Sequence, residues 1–230
     1  MNFKSRSHTI LYLIGMLLIA FVFWNTLLIY PIKLFVVMLH EMSHGLMAVL
    51  FGGKILQIQI DSQIGGYCEY QIQAGFWGQF MTASAGYLGS LIGGIIILLA
   101  AIKSVKDKYI TLIIGLILLL LSYFVLQSGE LFGTAITLGF GLFMMLAFKY
   151  GRPLFHDLFL KFIGITSCVY VIIDIKEDVL FPLTNQVSDA HQIANLTGIP
   201  SRIVGIIWIL IALLLLFYAF QYIYRNQKKG

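Results

Sequence analysis

The stretch His40-Glu41-Met42-Ser43-His44 determines how the rest of this sequence is interpreted. It lies in an apolar run, residues 34–51, in which Glu41 and the two histidines are the only ionisable side chains. On a helix, positions 40 and 44 lie one turn apart on one face, so the two imidazoles can bind one metal ion. Glu41 is close enough to accept a proton from water at that metal. The stretch therefore predicts the site of a zinc hydrolase.

The apolar surroundings of this motif argue that it has a function. A charged or strongly polar side chain at the centre of a membrane costs about 2–3 kcal/mol or more unless it is paired or bound to a ligand. Three such groups stand within five residues here. A shared metal ion would satisfy two of them and give the third a role in catalysis.

The composition places the chain in a membrane. Of its 230 residues, 60% are hydrophobic and only 11% are charged, and the mean hydropathy is +0.92. A soluble domain cannot bury that much apolar surface. We therefore expect an integral, multi-pass protein of the cell (plasma) membrane, with the lipid bilayer as its surroundings.

The basic residues indicate a membrane rather than nucleic acid as the partner, and the two cysteines indicate no special site. The net charge of +5 is carried by short basic clusters at the ends of apolar runs. Such clusters suit membrane orientation and anionic lipid headgroups rather than nucleic acid. Cys68 and Cys168 have no metal-site spacing and form no disulfide framework, so we interpret both as ordinary buried or half-buried thiols.

Hydropathy predicts an α-helical polytopic membrane protein with about seven transmembrane helices, which form one membrane-embedded domain, residues 1–230. A polar loop at about 181–202 separates the last two spans. Within this loop, Ser188-Asp189-Ala190-His191 predicts a short capped helix that ends at Gly198. His191 and His156 are interpreted as loop and interface residues rather than metal ligands. The predicted spans are residues 10–30, 34–51, 84–102, 110–126, 131–148, 154–175 and 203–222.

A β-hairpin is predicted directly after the second span, in an insert at about 54–74. Polar and apolar residues alternate over 56–61 and again over 68–73, which is the periodicity of a strand. Residues 62–66 between them are typical of a turn. Two interpretations stay open: the hairpin is a polar connector, or its exposed edge receives an extended segment of substrate by strand addition.

Together these features carry a resemblance to a known family. The HExxH motif in a span, the hairpin after it, the helix start Ser84-Ala85-Gly86-Tyr87-Leu88-Gly89 and a late intramembrane Asp resemble the site-2 protease superfamily. The most similar branch is the peptidase family M50B-like one, and the similarity extends over about 33–208. Members are zinc metalloproteases that cut other proteins within or next to the membrane.

The resemblance implies a role for each residue of the motif. His40 and His44 would bind Zn²⁺, Glu41 would be the general base, and the third ligand would be an Asp from a later span. The expected activity is zinc-dependent proteolysis of membrane-spanning protein substrates.

Depth along the helices selects Asp174 as the third ligand. If the sixth helix continues to Leu180, Asp174 lies about 9 Å from its end. His44 lies about 10 Å from the end of its own helix at Phe51. The other acidic residues weighed against it are Glu130, Asp157, Glu177 and Asp178.

Two alternatives belong to other functional classes. One is a non-proteolytic metal-binding membrane scaffold, or an inactive relative of a protease. The other is a transporter, since intramembrane ionisable groups are also typical of transporters. The presence of Glu41 favours the enzyme, and the sequence has no convincing internal repeat of the kind a transporter shows.

Basic residues do not agree on one orientation if all seven spans cross the membrane. Lys4 and Arg6 favour a cytoplasmic N-terminus. The basic loops at 103–108 and 149–152 and the C-terminal tail favour the opposite arrangement.

Overall fold

The computed structural model describes residues 6–180 and 188–226. It is a helical protein with a two-stranded antiparallel sheet after the second helix, as the sequence predicts. In chain order the elements are α1 (Arg6–Val22), α2 (Tyr30–Leu50), β1 (Lys54–Ile60), β2 (Gly66–Gln71), α3 (Phe76–Lys103), α4 (Asp107–Leu126), α5 (Leu131–Tyr150), α6 (Pro153–Ile175) with a π-helical turn (Lys176–Leu180), α7 (Asp189–Thr197) and α8 (Ser201–Asn226).

Within these described ranges, six helices are long and apolar enough to cross a membrane: α2 to α6 and α8. The chain is therefore an integral multi-pass membrane protein. The predicted first span, 10–30, corresponds to α1, which ends at Val22. A helix of 17 residues is about 25 Å long, which is less than the roughly 30 Å of a hydrocarbon core.

Local sequence explains where α2 begins and ends. Pro31 stands in its first turn, where the missing N–H costs no hydrogen bond. Gly52 follows the helix with a φ of +79°, a conformation that residues with a Cβ rarely adopt. Because the chain reverses there, the hairpin follows directly on the helix that carries the HExxH motif.

Small residues let α3 pack closely between α2 and α6. A Cβ on Gly94 would stand 3.1 Å from the Gly164 carbonyl oxygen of α6, and one on Gly89 would stand 2.5 Å from the Ser43 side chain of α2. Glycine at these positions allows the helix backbones to approach each other. This packing brings the HExxH face of α2 against the first half of α3.

The hairpin folds back along α2. Its two strands pair in antiparallel register with Ile58 opposite Cys68, and an irregularity lies between Ile55 and Gln57. At the turn, Asp61 Oδ1 accepts hydrogen bonds from the backbone N–H groups of residues 63 and 65, at 2.7 and 3.0 Å. The Tyr30 hydroxyl donates to the Ser62 carbonyl over 2.7 Å. The hairpin is therefore fixed to both ends of α2.

The two strands have different surroundings. Ile58 and Ile60 of β1 are fully buried in the core with Val125 of α4. A Cβ on Gly133 of α5 would stand 2.6 Å from the Ile60 carbonyl oxygen, so α5 lies directly against the outer side of β1. The edge of β2 instead borders an open groove, described below.

Candidate metal centre

Helix α2 places the two histidines of the HExxH motif side by side. Their Nε2 atoms are 3.2 Å apart, as expected for residues one helical turn apart on the same face. His44 is buried and His40 is half-buried. The ring of Tyr87 in α3 packs edge-on against His40, with ring centroids 4.9 Å apart. The histidines therefore point from α2 toward α3.

Asp189 lies next to both histidines. Its Oδ2 atom is 3.2 Å from His40 Nε2 and 3.1 Å from His44 Nε2. Asp189 is the first residue of α7, directly after the N-cap residue Ser188. Burial by itself would raise the pKa of the Asp189 carboxyl, but His44 and His40 together hold that pKa below its usual value. Asp189 is therefore a carboxylate, the form that binds metals.

The three atoms meet over a glycine. A Cβ on Gly86 would stand 2.3 Å from each histidine Nε2 and 2.6 Å from Asp189 Oδ2. Donor atoms on a tetrahedral zinc, with bonds of about 2.0–2.2 Å, stand roughly 3.3–3.5 Å apart. The observed triangle of 3.1–3.2 Å is close to that spacing, and two imidazoles with one carboxylate are zinc ligands. These residues therefore fit a zinc ion.

A backbone carbonyl orients His44 for this role. His44 Nδ1 lies 2.8 Å from the Thr82 carbonyl oxygen of α3. Because a carbonyl oxygen only accepts, Nδ1 is the donor, and the neutral ring then offers its lone pair at Nε2. Ligand histidines in metal sites are commonly held by such a second hydrogen bond.

Glu41 faces the hairpin rather than joining the three-residue group. The backbone N–H of Cys68 in β2 donates a hydrogen bond to its carboxylate. A Cβ on Gly66 would stand 3.2 Å from Glu41 Oε1, so glycine there lets the strand approach. Glu41 is buried. Glu41 is thus a buried carboxylate beside the two histidines, and it is not one of the three candidate metal ligands.

Neither cysteine takes part as a thiolate. Burial, with a further contribution from the charge of Glu41, raises the pKa of the Cys68 thiol to about 12. Cys168 is buried in the helix bundle. Both are free thiols, as the sequence predicts.

Asp174, the third ligand predicted from the sequence, is not part of the group. Among the described residues, the set whose ligand atoms lie within 4.8 Å of one another is His40, His44 and Asp189. Asp174 lies near the end of α6, where its charge acts on His40 and on Lys33. The depth of a residue along its helix gives its level in the membrane, but it gives neither the face of the helix nor the lateral distance. The structure therefore points to Asp189 for this position.

One local signal in the sequence points toward Asp189. Ser188 and Asp189 were predicted to begin a short helix that ends at Gly198, and α7 confirms this. In the same helix, His191 Nδ1 lies 2.9 Å from Ser188 Oγ, which is hydrogen-bond distance. His156 lies at the other end of α6, where its Nδ1 is 2.9 Å from Thr111 Oγ1. Neither histidine belongs to the three-residue group.

An open groove lies between β2, α3 and α7. It has a volume of about 560 Å³. Tyr70 of β2 lines the groove, and the charge of Asp189 acts on its hydroxyl. Amide side chains dominate the lining, which suits hydrogen bonding to a peptide backbone. The lining residues are Tyr70, Gln71, Ile72, Gln79, Gln192, Asn195 and Leu196.

The close fit over Gly86 leads to a prediction. Gly86→Ala is expected to remove most zinc binding, because the new Cβ would stand 2.3 Å from both Nε2 atoms. Helix α3 itself should tolerate alanine, which favours helix by about 1 kcal/mol over glycine. The matched control is Gly93→Ala on the same helix, whose Cβ would meet Leu39 at an ordinary 3.8 Å. Zinc content of the two purified variants is the measurement, and equal, wild-type zinc in both would contradict this geometry.

Comparison with known proteins supports the same interpretation. Residues 13–219 match the family described as Peptidase M50B-like. Neither the curated proteins nor the solved structures gave a match. The family match extends over most of the chain and includes His40, Glu41, His44 and Asp189. On this basis the chain belongs to the Peptidase M50B-like family, which is part of the site-2 protease superfamily.

Proposed function

We propose that this protein is a zinc metalloprotease that cuts membrane-spanning proteins within or next to the cell membrane. The proposal rests on one observation: the ligand atoms of His40, His44 and Asp189 lie close together next to Gly86. Glu41 lies beside them and is not one of the three candidate ligands. The chain's membership of a peptidase family and its six apolar helices of membrane-spanning length, counted among the described residues, support the same function.

In this proposal His40, His44 and Asp189 would hold the zinc ion. When bound, zinc supplies Lewis acidity, polarising a peptide carbonyl and lowering the pKa of water toward about 7. The chain's own contribution is to position three donors before the metal arrives. Thr82 fixes the ring of His44, and the packing of α7 brings in Asp189.

Glu41 would move the proton. Its buried carboxylate accepts a proton from the attacking water and later delivers it to the leaving amine. The hydrogen bond from the Cys68 N–H holds the carboxylate against β2, where a substrate would lie. Positioning of this kind keeps the proton transfer within the short range that general-base catalysis needs.

The edge of β2 would hold the substrate in an extended form. A helical substrate must unwind locally, because its backbone groups are already hydrogen-bonded. Along a strand, successive N–H groups point to opposite sides. The Cys68 N–H points to Glu41, so we expect the Tyr70 N–H on the same edge of β2, beside the groove that Tyr70 lines. A substrate strand paired there would lie beside Glu41.

Metal removal tests the proposal directly. Purified protein is expected to contain zinc and to cut a membrane-spanning test substrate in detergent or liposomes. A chelator should abolish cleavage, and added zinc should restore it. Cleavage that persists without metal would contradict the proposal. Zinc without cleavage of any test substrate would instead favour the non-proteolytic metal-binding scaffold.

Strand addition predicts that the backbone of β2 matters more than its side chains. Tyr70→Pro removes the N–H expected beside the groove, so substrate turnover should fall about tenfold or more with zinc content retained. Tyr70→Ala keeps that N–H and is the matched control. Equal losses in both variants would mean that the ring, and not strand pairing, is required. Prolines in β1 do not test this edge, because α4 and α5 pack against that strand.

A further inference from the structure

Helix α1 runs beside α6 in the same direction. Near its start, Tyr12 is within electrostatic range of Asp157 near the start of α6. After its end, the ring of Trp24 packs against Tyr170 with centroids 5.9 Å apart. These two contacts are separated by twelve residues on one chain segment and thirteen on the other. The start of α1 therefore lies at the same end of the bundle as the start of α6.

The ends of α3 and α8 lie there too. Leu13 of α1 shares a buried cluster with Leu98 near the end of α3 and with Ile223 near the end of α8. Thr111 at the start of α4 reaches His156 at the start of α6. We call this the α1 end of the bundle. It includes the loops 103–108 and 149–152.

Helix α2 finishes at the opposite end. A Cβ on Gly78, in the first turn of α3, would stand 3.3 Å from the ring of Phe51 that follows α2. The last residue of α3, Lys103, lies at the α1 end. Because the chain enters α1 at one end and leaves α2 at the other, α1 and α2 together cross the membrane a net single time. The basic residues then agree on one orientation. They disagree only if α1 and α2 each cross the membrane separately.

With a single net crossing, the basic loops at 103–108 and 149–152 lie at the α1 end together with Arg6 at the start of α1 and Arg225 at the end of α8. Among the residues that the structure describes, seven Lys and Arg residues flank helices there, against three at the opposite end. Two of these lysines pack against aromatic rings. Lys103 Nζ lies 4.4 Å from the Tyr222 ring centroid, and Lys108 Nζ lies 5.1 Å from the Tyr109 ring centroid. The seven are Arg6, Lys103, Lys106, Lys108, Lys149, Arg152 and Arg225, and the three are Lys54, Lys176 and Arg202.

We propose that the α1 end faces the cytoplasm and its anionic lipid headgroups, and that the hairpin, the groove and the metal centre open on the opposite side of the membrane. Short loops rich in Lys and Arg stay on the cytoplasmic side, and a leaflet rich in anionic lipid attracts them. If the proposed function holds, the substrates are proteins whose cut segment reaches the non-cytoplasmic half of the bilayer.

Cysteine accessibility in intact cells tests this orientation. The background is the full chain with Cys68→Ala and Cys168→Ala. Single cysteines are placed at exposed positions of each end, as Lys106→Cys and Arg152→Cys, or Gln127→Cys and Ile199→Cys. A membrane-impermeant maleimide should label positions 127 and 199 in intact cells, and positions 106 and 152 only after the membrane is permeabilised. An epitope tag before Met1 should become accessible to antibody only after permeabilisation.

Each outcome decides the proposal. Labelling of positions 106 and 152 from outside would overturn the orientation. A tag exposed outside while position 106 stays inside would show that α1 and α2 cross separately. Labelling requires neither zinc nor proteolysis, so a His40→Ala version of each variant should give the same pattern. A failed cleavage assay therefore leaves this inference intact, and a reversed pattern leaves the proposed chemistry intact.

Discussion

Replacing Glu41 with glutamine is expected to reduce peptide hydrolysis by at least about 100-fold while the protein keeps its zinc. Glutamine has nearly the same shape as glutamate but cannot accept the proton from the attacking water. The zinc should remain because Glu41 stands outside the group formed by His40, His44 and Asp189. Proton transfer by a positioned side chain contributes about 10²–10⁴-fold to rate, which sets the expected loss.

The measurement is cleavage of a membrane-spanning test substrate together with zinc content of the same preparation. Glu130→Gln is the matched control, because it makes the same change at an exposed position at the start of α5. It should cleave at the wild-type rate. If Glu41→Gln also cleaves at that rate, the proposed mechanism is wrong.

Asp189→Ala is expected to lose zinc and activity together. Two histidines alone hold a catalytic zinc poorly, and even groups that only orient a ligand are worth 10- to 100-fold in affinity. Removing the carboxylate 3.1–3.2 Å from both Nε2 atoms should therefore weaken zinc binding by at least about 100-fold. Competition with a chelator of known affinity measures this change.

Asp174→Ala provides the comparison. Asp174 is the residue that helix depth selects, and Asp189 is the one that the geometry selects. Asp174→Ala should keep most of its zinc, since it lies outside the three-residue group. Asp189→Asn, which keeps the side-chain size at the start of α7, separates loss of charge from loss of packing. Zinc lost from Asp174→Ala and kept by Asp189→Ala would restore the assignment made from the sequence.

Features that depend on neighbouring residues were predictable from the sequence. The spacing of His40 and His44 follows from one turn of helix, and the hairpin follows from alternating polarity. The short helix α7 was predicted from Ser188 and Gly198 at its ends. Each of these patterns is set by residues within about a dozen positions of one another.

Features that depend on packing were not predictable in the same way. Asp189 meets the histidines because α7 packs on α3 and α8, and nothing local marks it apart from other acidic residues in loops. The course of α1 is a second case. Hydropathy shows an apolar run at 10–30, but only its contacts with Asp157 and Tyr170 give its direction. The third ligand and the number of crossings therefore needed the structure.

The late position of Asp189 has a consequence for the newly made protein. His40 and His44 enter the membrane early in synthesis, whereas their carboxylate partner follows 145 residues after His44 in the 230-residue chain. Residues far apart in sequence meet late, because the intervening segments must first find their places. A nascent chain on the ribosome therefore holds an incomplete metal site through most of its translation. If the proposed function holds, the hydrolytic centre forms only once α7 has emerged and packed, and we expect the unfinished protein not to cut itself or its neighbours during insertion.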